Sequence, residues 1–164
     1  MIPRNRIPPI AAVENGRPDC PADWLVFEGL GFSVCYPPGH YAETWSSRNF
    51  PPSLSVHLGP GEPVAYTPYG MNLRPIEKYE PVTECFYQAE AIDYRAKTKT
   101  EPYSIGGEAA LACTADAGYA IQFKGTARGP GGALEFWVNA RNGEQLDLAK
   151  QVLSTVRFVP DLSK

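Results

Sequence analysis

No stretch of this sequence approaches the roughly 18 or more consecutive apolar residues of a membrane-spanning helix, and the opening MIPRNRIPPI lacks the continuous apolar run of a secretory signal. The expectation is a chain with no helical membrane span. Positive charge is also thin: 15 Lys and Arg stand against 18 Asp and Glu for a net charge of -3, with basic residues scattered singly. A polyphosphate partner finds no electrostatic footprint in that distribution, which argues against nucleic-acid binding. Histidine is scarce, with only His40 and His57 to act as general base or imidazole ligand. The cysteines include no C-x-x-C pair, and structural zinc normally uses at least one closely spaced ligand pair. No metal or cofactor is expected on these grounds.

What is present describes an ordinary globular chain with many turns. Of 164 residues, 43% are apolar and 20% charged, while 17 Pro and 15 Gly stop short of the enrichment that marks disorder. The length suits one domain with a real core. Residues 1–19 carry Pro3, Pro8, Pro9 and Pro18 among charged side chains with no apolar periodicity and read as a flexible Pro-rich tail; residues 20–164 read as a single globular domain.

Cys20, Cys35, Cys85 and Cys113 form an even set in a small chain, for which disulfides are the leading reading. Three connectivities are open. Pairing Cys20 with Cys35 and Cys85 with Cys113 closes the shortest loops, each worth about 3 to 4 kcal/mol by chain entropy. The competing reading is four reduced, buried thiols in a cytosolic protein. Disulfides would place the protein outside the cytoplasm, extracytoplasmic or secreted, with its export signal missing from the given chain.

Apolar patterning supplies the elements. WLVFEGLGFSVCY holds two short apolar runs across Glu28-Gly29-Leu30-Gly31, a hairpin signal, and Pro37 and Pro38 end its second strand. SLSVHL alternates Leu54, Val56 and Leu58 against Ser53, Ser55 and His57, as a half-buried strand does. Five prolines between positions 60 and 81 predict a long irregular connection, and Val82, Cys85, Phe86, Ala89 and Ile92 predict a short helix, with a strand as its competitor. EAALACTA, YAIQFKG and ALEFWVNAR predict a three-stranded antiparallel meander with one apolar face. A helix from about Gly143 to Ser154 should cover that face through Leu146, Ala149, Val152 and Leu153, opened by a capping box of Asn142 and Gln145; TVRFV reads as a final strand.

Residues that could carry chemistry have plain structural readings beside them. Ser33 in GFSVC lacks the second glycine and the strand-to-helix turn of a nucleophile elbow. His40 and His57 have no partner that spacing can place, and Glu77, Glu80 and Glu84 read as charge on a solvated segment. The loop aromatics are more informative. Trp45, Tyr66, Tyr69 and Tyr79 fall in or near loops, where Trp and Tyr anchor protein partners or stack on sugars. Trp137 shares a strand face with Glu135 and Asn139 and fits either packing or recognition.

Two segments resemble a known family. FSVCYPPGHY is similar to the F-S-x-x-Y-P-x-x-W start of PsbP-like domains, and LDLAKQVLSTVRFV resembles their closing helix and strand; YSIGGEAALACTA resembles a strand opening common in the same group. The chain departs where His40 replaces the usual Trp and in the Pro-rich stretch 60–81. The resemblance implies an α+β fold, an antiparallel sheet flanked by helices in an α/β/α sandwich, and a role as a binding, assembly or chaperone module with no catalytic residues to carry over. Cys20, Pro21 and Trp24 followed by Cys35 also resemble a pattern in exported bacterial members, which favours a Cys20–Cys35 bridge. The expected function is thus a non-enzymatic extracytoplasmic binding or assembly module for a protein partner. A carbohydrate- or cell-wall-binding domain using the same aromatics is the alternative, and a hydrolase with an unrecognised site the third reading.

Overall fold

In the computed structural model, residues 4–6, 19–59, 69–80, 97–129 and 132–158 are described. Turn chemistry sets the order of their strands. After β1 (Arg4–Arg6), β2 (Leu25–Gly29) and β3 (Phe32–Tyr36) pair across Leu30 and Gly31, whose φ values of 57° and 86° are those of the primed turn that matches strand twist. β4 (Ala42–Ser47) and β5 (Phe50–His57) form the next hairpin, followed by β6 (Gly70–Ile76). β7 (Lys97–Ile105) turns through Gly106-Gly107, again with both φ positive, into β8 (Glu108–Asp116). β9 (Ile121–Gly129) and β10 (Gly132–Ala140) complete a meander; α1 (Gly143–Ser154) and β11 (Arg157–Phe158) close the chain.

The strands make two antiparallel sheets. The larger runs β1-β4-β5-β6-β10-β9-β8-β7 and the smaller β11-β3-β2. Register aligns Leu54, Leu73, Phe136, Gly125 and Ala112 in one row of the large sheet and Val56, Met71, Val138 and Phe123 in the next. These side chains are buried, and α1 lies over them with Leu146, Ala149, Val152 and Leu153 turned inward. At about 1.5 to 3 kcal/mol for each large apolar side chain removed from water, this seam dominates the stability of the C-terminal third. Asn142 Oδ1 accepts from Gln145 N at 3.0 Å, and Gln145 Oε1 in turn accepts from Arg141 N at 2.8 Å, so the box reaches back one residue further than the usual form. At the other helix end Thr155 Oγ1 accepts from Cys35 N at 2.8 Å and donates toward Val152 O at 2.7 Å, which ties the α1 terminus to β3.

Several expectations need correction. The fold is mainly β: among the described residues there are two antiparallel sheets and a single helix, in place of an α+β sheet flanked by helices. One face of the large sheet packs against α1, and the small sheet is joined to that layer through β3. The helix expected over Val82 to Ile92 lies outside the described residues. Four strands, β1, β4, β6 and β7, stand where the pattern predicts none. β6 sits inside the stretch expected to be irregular, because only Met71 and Leu73 alternate before Arg74 and Pro75. β7 is an edge strand with Lys99 and Glu101 paired at 3.2 Å and Pro102 in its centre, features that guard an edge and erase apolar alternation. Arg4–Arg6, within the expected tail, pairs with Ser47–Trp45 of β4.

Burial gives the fold a pH dependence. It raises the Tyr36 and Tyr103 hydroxyls above their ordinary pKa of 10.0. The folded state therefore holds these protons more tightly than the unfolded chain does, so their stabilisation is complete below pH 10 and is lost as pH climbs through the raised folded values. Urea midpoints should hold between pH 8 and about 9.5, then fall, and Tyr36→Phe should flatten the fall; an equally steep decline in that variant would exclude Tyr36 as a cause.

Candidate functional site

The expected contact residues are distributed by β6. Tyr69 precedes it and Tyr79 follows it, so the two tyrosines stand at opposite ends of a seven-residue strand, roughly 20 Å apart or more. They do not form one site. Each is half-buried and lies under an arginine: Arg141 Cζ is 5.0 Å from the Tyr69 ring centroid, and Arg128 Cζ is 4.1 Å from that of Tyr79. Such contacts contribute about 0.5 to 1 kcal/mol at exposed positions, and they hold an otherwise mobile guanidinium in one place. Trp45 occupies β4, with Cα partners Arg6 and Ser53, and Tyr66 lies outside the described residues.

The Tyr69 end is the richer of the two. Gly70 pairs with Asn139 and Ala140 with Ile121, which brings Tyr69, Arg141 and the β8–β9 turn to the same end of the sheet. Gly118 N donates to Asp116 Oδ1 at 2.8 Å and Ala117 N to Ala120 O at 3.0 Å, so the turn is internally braced. It presents Tyr119, 61% exposed and the one exposed large hydrophobic among the described residues. A braced tyrosine at the same sheet end as a stacked arginine offers an aromatic face and a fork of N–H donors suited to a carboxylate or a backbone carbonyl.

The sheet face opposite α1 carries a row of polar side chains by register: Glu43, Ser55, Asn72, Trp137 and Lys124. Ser55 Oγ donates to Asn72 Oδ1 at 2.5 Å, and Arg74 pairs with Glu135 at 2.8 Å. His57 lies edge-on to Tyr41 and 4.0 Å from Glu43, while its carbonyl is 2.9 Å from His40 Nδ1. His40 is thus built into the β3–β4 connection and His57 into the end of β5. Ser33 is buried in mid-strand opposite Glu28 and Arg157, where no nucleophile elbow can form. Glu77 and Glu80 are exposed, and Glu84 lies outside the described residues.

Cys20 and Cys35 are joined by a disulfide, with Cα atoms 6.1 Å apart, and the adjoining Asp19 pairs with Arg157 at 2.8 Å. Cys113, 2% exposed on β8, is also disulfide-bonded, while its expected partner Cys85 lies outside the described residues. Among the described residues no three His, Cys, Asp or Glu side chains are grouped to hold a metal ion, and no helix is long and apolar enough to cross a membrane. No known protein family, curated protein or solved structure matches the chain. Sequence reasoning missed Arg141, Arg128 and Tyr119. The two arginines had no local signal, since each meets its tyrosine only through the β6–β10–β9 pairing; alternation along YAIQFKG puts Tyr119 on one face with Ile121 and Phe123, whereas β9 begins at Ile121 and Tyr119 belongs to the turn.

Proposed function

We propose that this chain is a non-enzymatic binding or assembly module, working outside the reducing cytoplasm, that recognises a protein partner through Tyr69, Tyr119 and Arg141. The observation that carries the reading is the Tyr119 side chain, held out into solvent on a braced turn at the end of the sheet where Arg141 is stacked on Tyr69. Exposing a large aromatic costs solvation free energy that a partner would recover, and Tyr and Arg dominate binding hot spots. The Cys20–Cys35 disulfide supports the compartment, because such bonds persist mainly in oxidising environments. The PsbP-like resemblance of FSVCYPPGHY supports the module character.

The test uses the chain as bait against extract from its native source. The expected result is a specific partner lost at least tenfold with Tyr119→Ala or Arg141→Ala and retained with Tyr79→Ala at the far end. Glycan binding on an array, abolished by the same two substitutions, would instead establish the carbohydrate reading and overturn this one. So would a partner equally sensitive to all three.

A further inference from the structure

Resting on protein recognition as the function, we propose that Arg141 reads a side-chain carboxylate of the partner, and that the recognised segment carries an aspartate or glutamate close to a large apolar residue. Arg141 is exposed, and its guanidinium meets the Tyr69 ring at 5.0 Å. No carboxylate among the described residues is paired with it. By contrast, Arg74 and Arg157 each hold an acid of the chain, Glu135 and Asp19, at 2.8 Å. Two acids stand at the same end of the sheet as Arg141, and neither takes it: Asp116 accepts from Gly118 N at 2.8 Å, and Glu144 lies in the first turn of α1. Arg128 sits on its own ring in the same way, but Tyr119, the one exposed large hydrophobic among the described residues, is at the Arg141 end.

The main chain beneath this guanidinium is fixed at both ends of the contact. Gln145 Oε1 accepts from Arg141 N at 2.8 Å, and Leu58 N donates to Tyr69 O at 3.3 Å. A long side chain already seated on a ring loses less rotamer freedom when a partner arrives. Its planar fork is matched best by two oxygens in one plane, which a carboxylate supplies together with the opposite charge and a backbone carbonyl does not. Register sets the spacing: Ala140 and Ile121 are Cα partners, with Arg141 one residue beyond the first and Tyr119 two before the second, so the Cα atoms of Arg141 and Tyr119 are roughly 17 Å apart or less. That is the span of about five extended residues. Asp116 stands at the start of the Tyr119 turn, which Ala117 N closes onto Ala120 O, so a second carboxylate is repelled there. The partner's apolar group therefore goes to Tyr119 and its acid to Arg141.

A phage-displayed library of random peptides is selected on the full chain. The expected consensus places an aspartate or glutamate within about five positions of an aromatic or leucine. A fluorescent peptide of that consensus, capped at both ends and titrated by anisotropy, should lose at least tenfold in affinity when its acid is changed to the amide, and equally with Arg141→Gln. Arg141→Lys, which keeps the charge and loses the fork, should fall between Arg141→Gln and the parent, and Arg128→Gln at the far end should bind as the parent does. Enrichment of peptides without an acid, enrichment of none, or a consensus peptide indifferent to Arg141→Gln would overturn the proposal. Displacement of the peptide by sialyllactose at equal concentration would assign the carboxylate to an acidic sugar and overturn it as well. Protein recognition is read separately: a partner captured from extract that is lost with Tyr119→Ala and kept with Arg141→Gln would leave that function standing and remove the carboxylate.

Discussion

Replacing Gly125 with alanine should cost about 3 kcal/mol of folding stability, at the upper end of overpacking effects, and lower the melting temperature by about 10 °C for a chain of this size. Gly125 lies in β9 between Ala112 of β8 and Phe136 of β10. A Cβ there would overlap the Phe136 ring and stand 2.7 Å from the Leu111 carbonyl oxygen. The ring has nowhere to go. Phe136 is fully buried, with its centroid 5.6 Å from Phe123 and 5.7 Å from Tyr103, and the carbonyl is held by the strand. Adding Phe136→Leu to Gly125→Ala should recover part of the loss by removing the ring, and no more than part, because the backbone contact remains. A Gly125→Ala protein that melts within a degree or two of the parent would show that the core yields freely at this point, contrary to the packing described.

The second large effect concerns the Cys20–Cys35 bond. Substituting both residues with alanine should cost about 3 kcal/mol, the chain-entropy value for a loop of about 15 residues; the sequence separation here is 15. The loss should be local in origin. Cys35 stays clamped, since Thr155 Oγ1 meets both its N–H and, at 3.3 Å, its carbonyl. The segment around Cys20 is otherwise tied by contacts such as the solvent-accessible Asp19–Arg157 pair and the Trp24 N to Pro21 O turn bond of 3.2 Å, and exposed ion pairs contribute little. Hydrogen exchange should therefore rise at residues 21–24 while β3 remains protected; a uniform rise would mean that the bond holds the whole small sheet. Alkylation without reductant, applied to protein from its native source, checks the compartment: four modified thiols would place the chain in a reducing environment and remove that support for the proposed function.

The elements that could be read without a structure are those whose information is local. Asn142, Gln145 and the 3.6-residue spacing of Leu146, Ala149, Val152 and Leu153 specify α1 to the residue, because capping and amphipathicity act within a few positions. The meander β8–β10 and the β2–β3 hairpin follow likewise from alternation and from glycines at the turns. β6 and β7 escaped for the opposite reason. What makes Gly70–Ile76 a strand is its insertion between β5 and β10, and what permits the polar, proline-bearing Lys97–Ile105 is its place at a sheet edge.

The candidate site divides the same way. Tyr69 and Tyr79 stand out as aromatics near turns, yet nothing local says that Arg141 and Arg128 cover them or that a strand keeps them apart. The covering helix, the three-strand meander and a cysteine set suited to disulfides are written in the chain itself, since periodicity, caps and residue chemistry are properties of neighbours along it. The β-rich architecture, the strand order and the choice of which side chains meet arise in three dimensions, because hydrogen bonding between strands joins residues far apart in sequence and carries no signature in either strand alone.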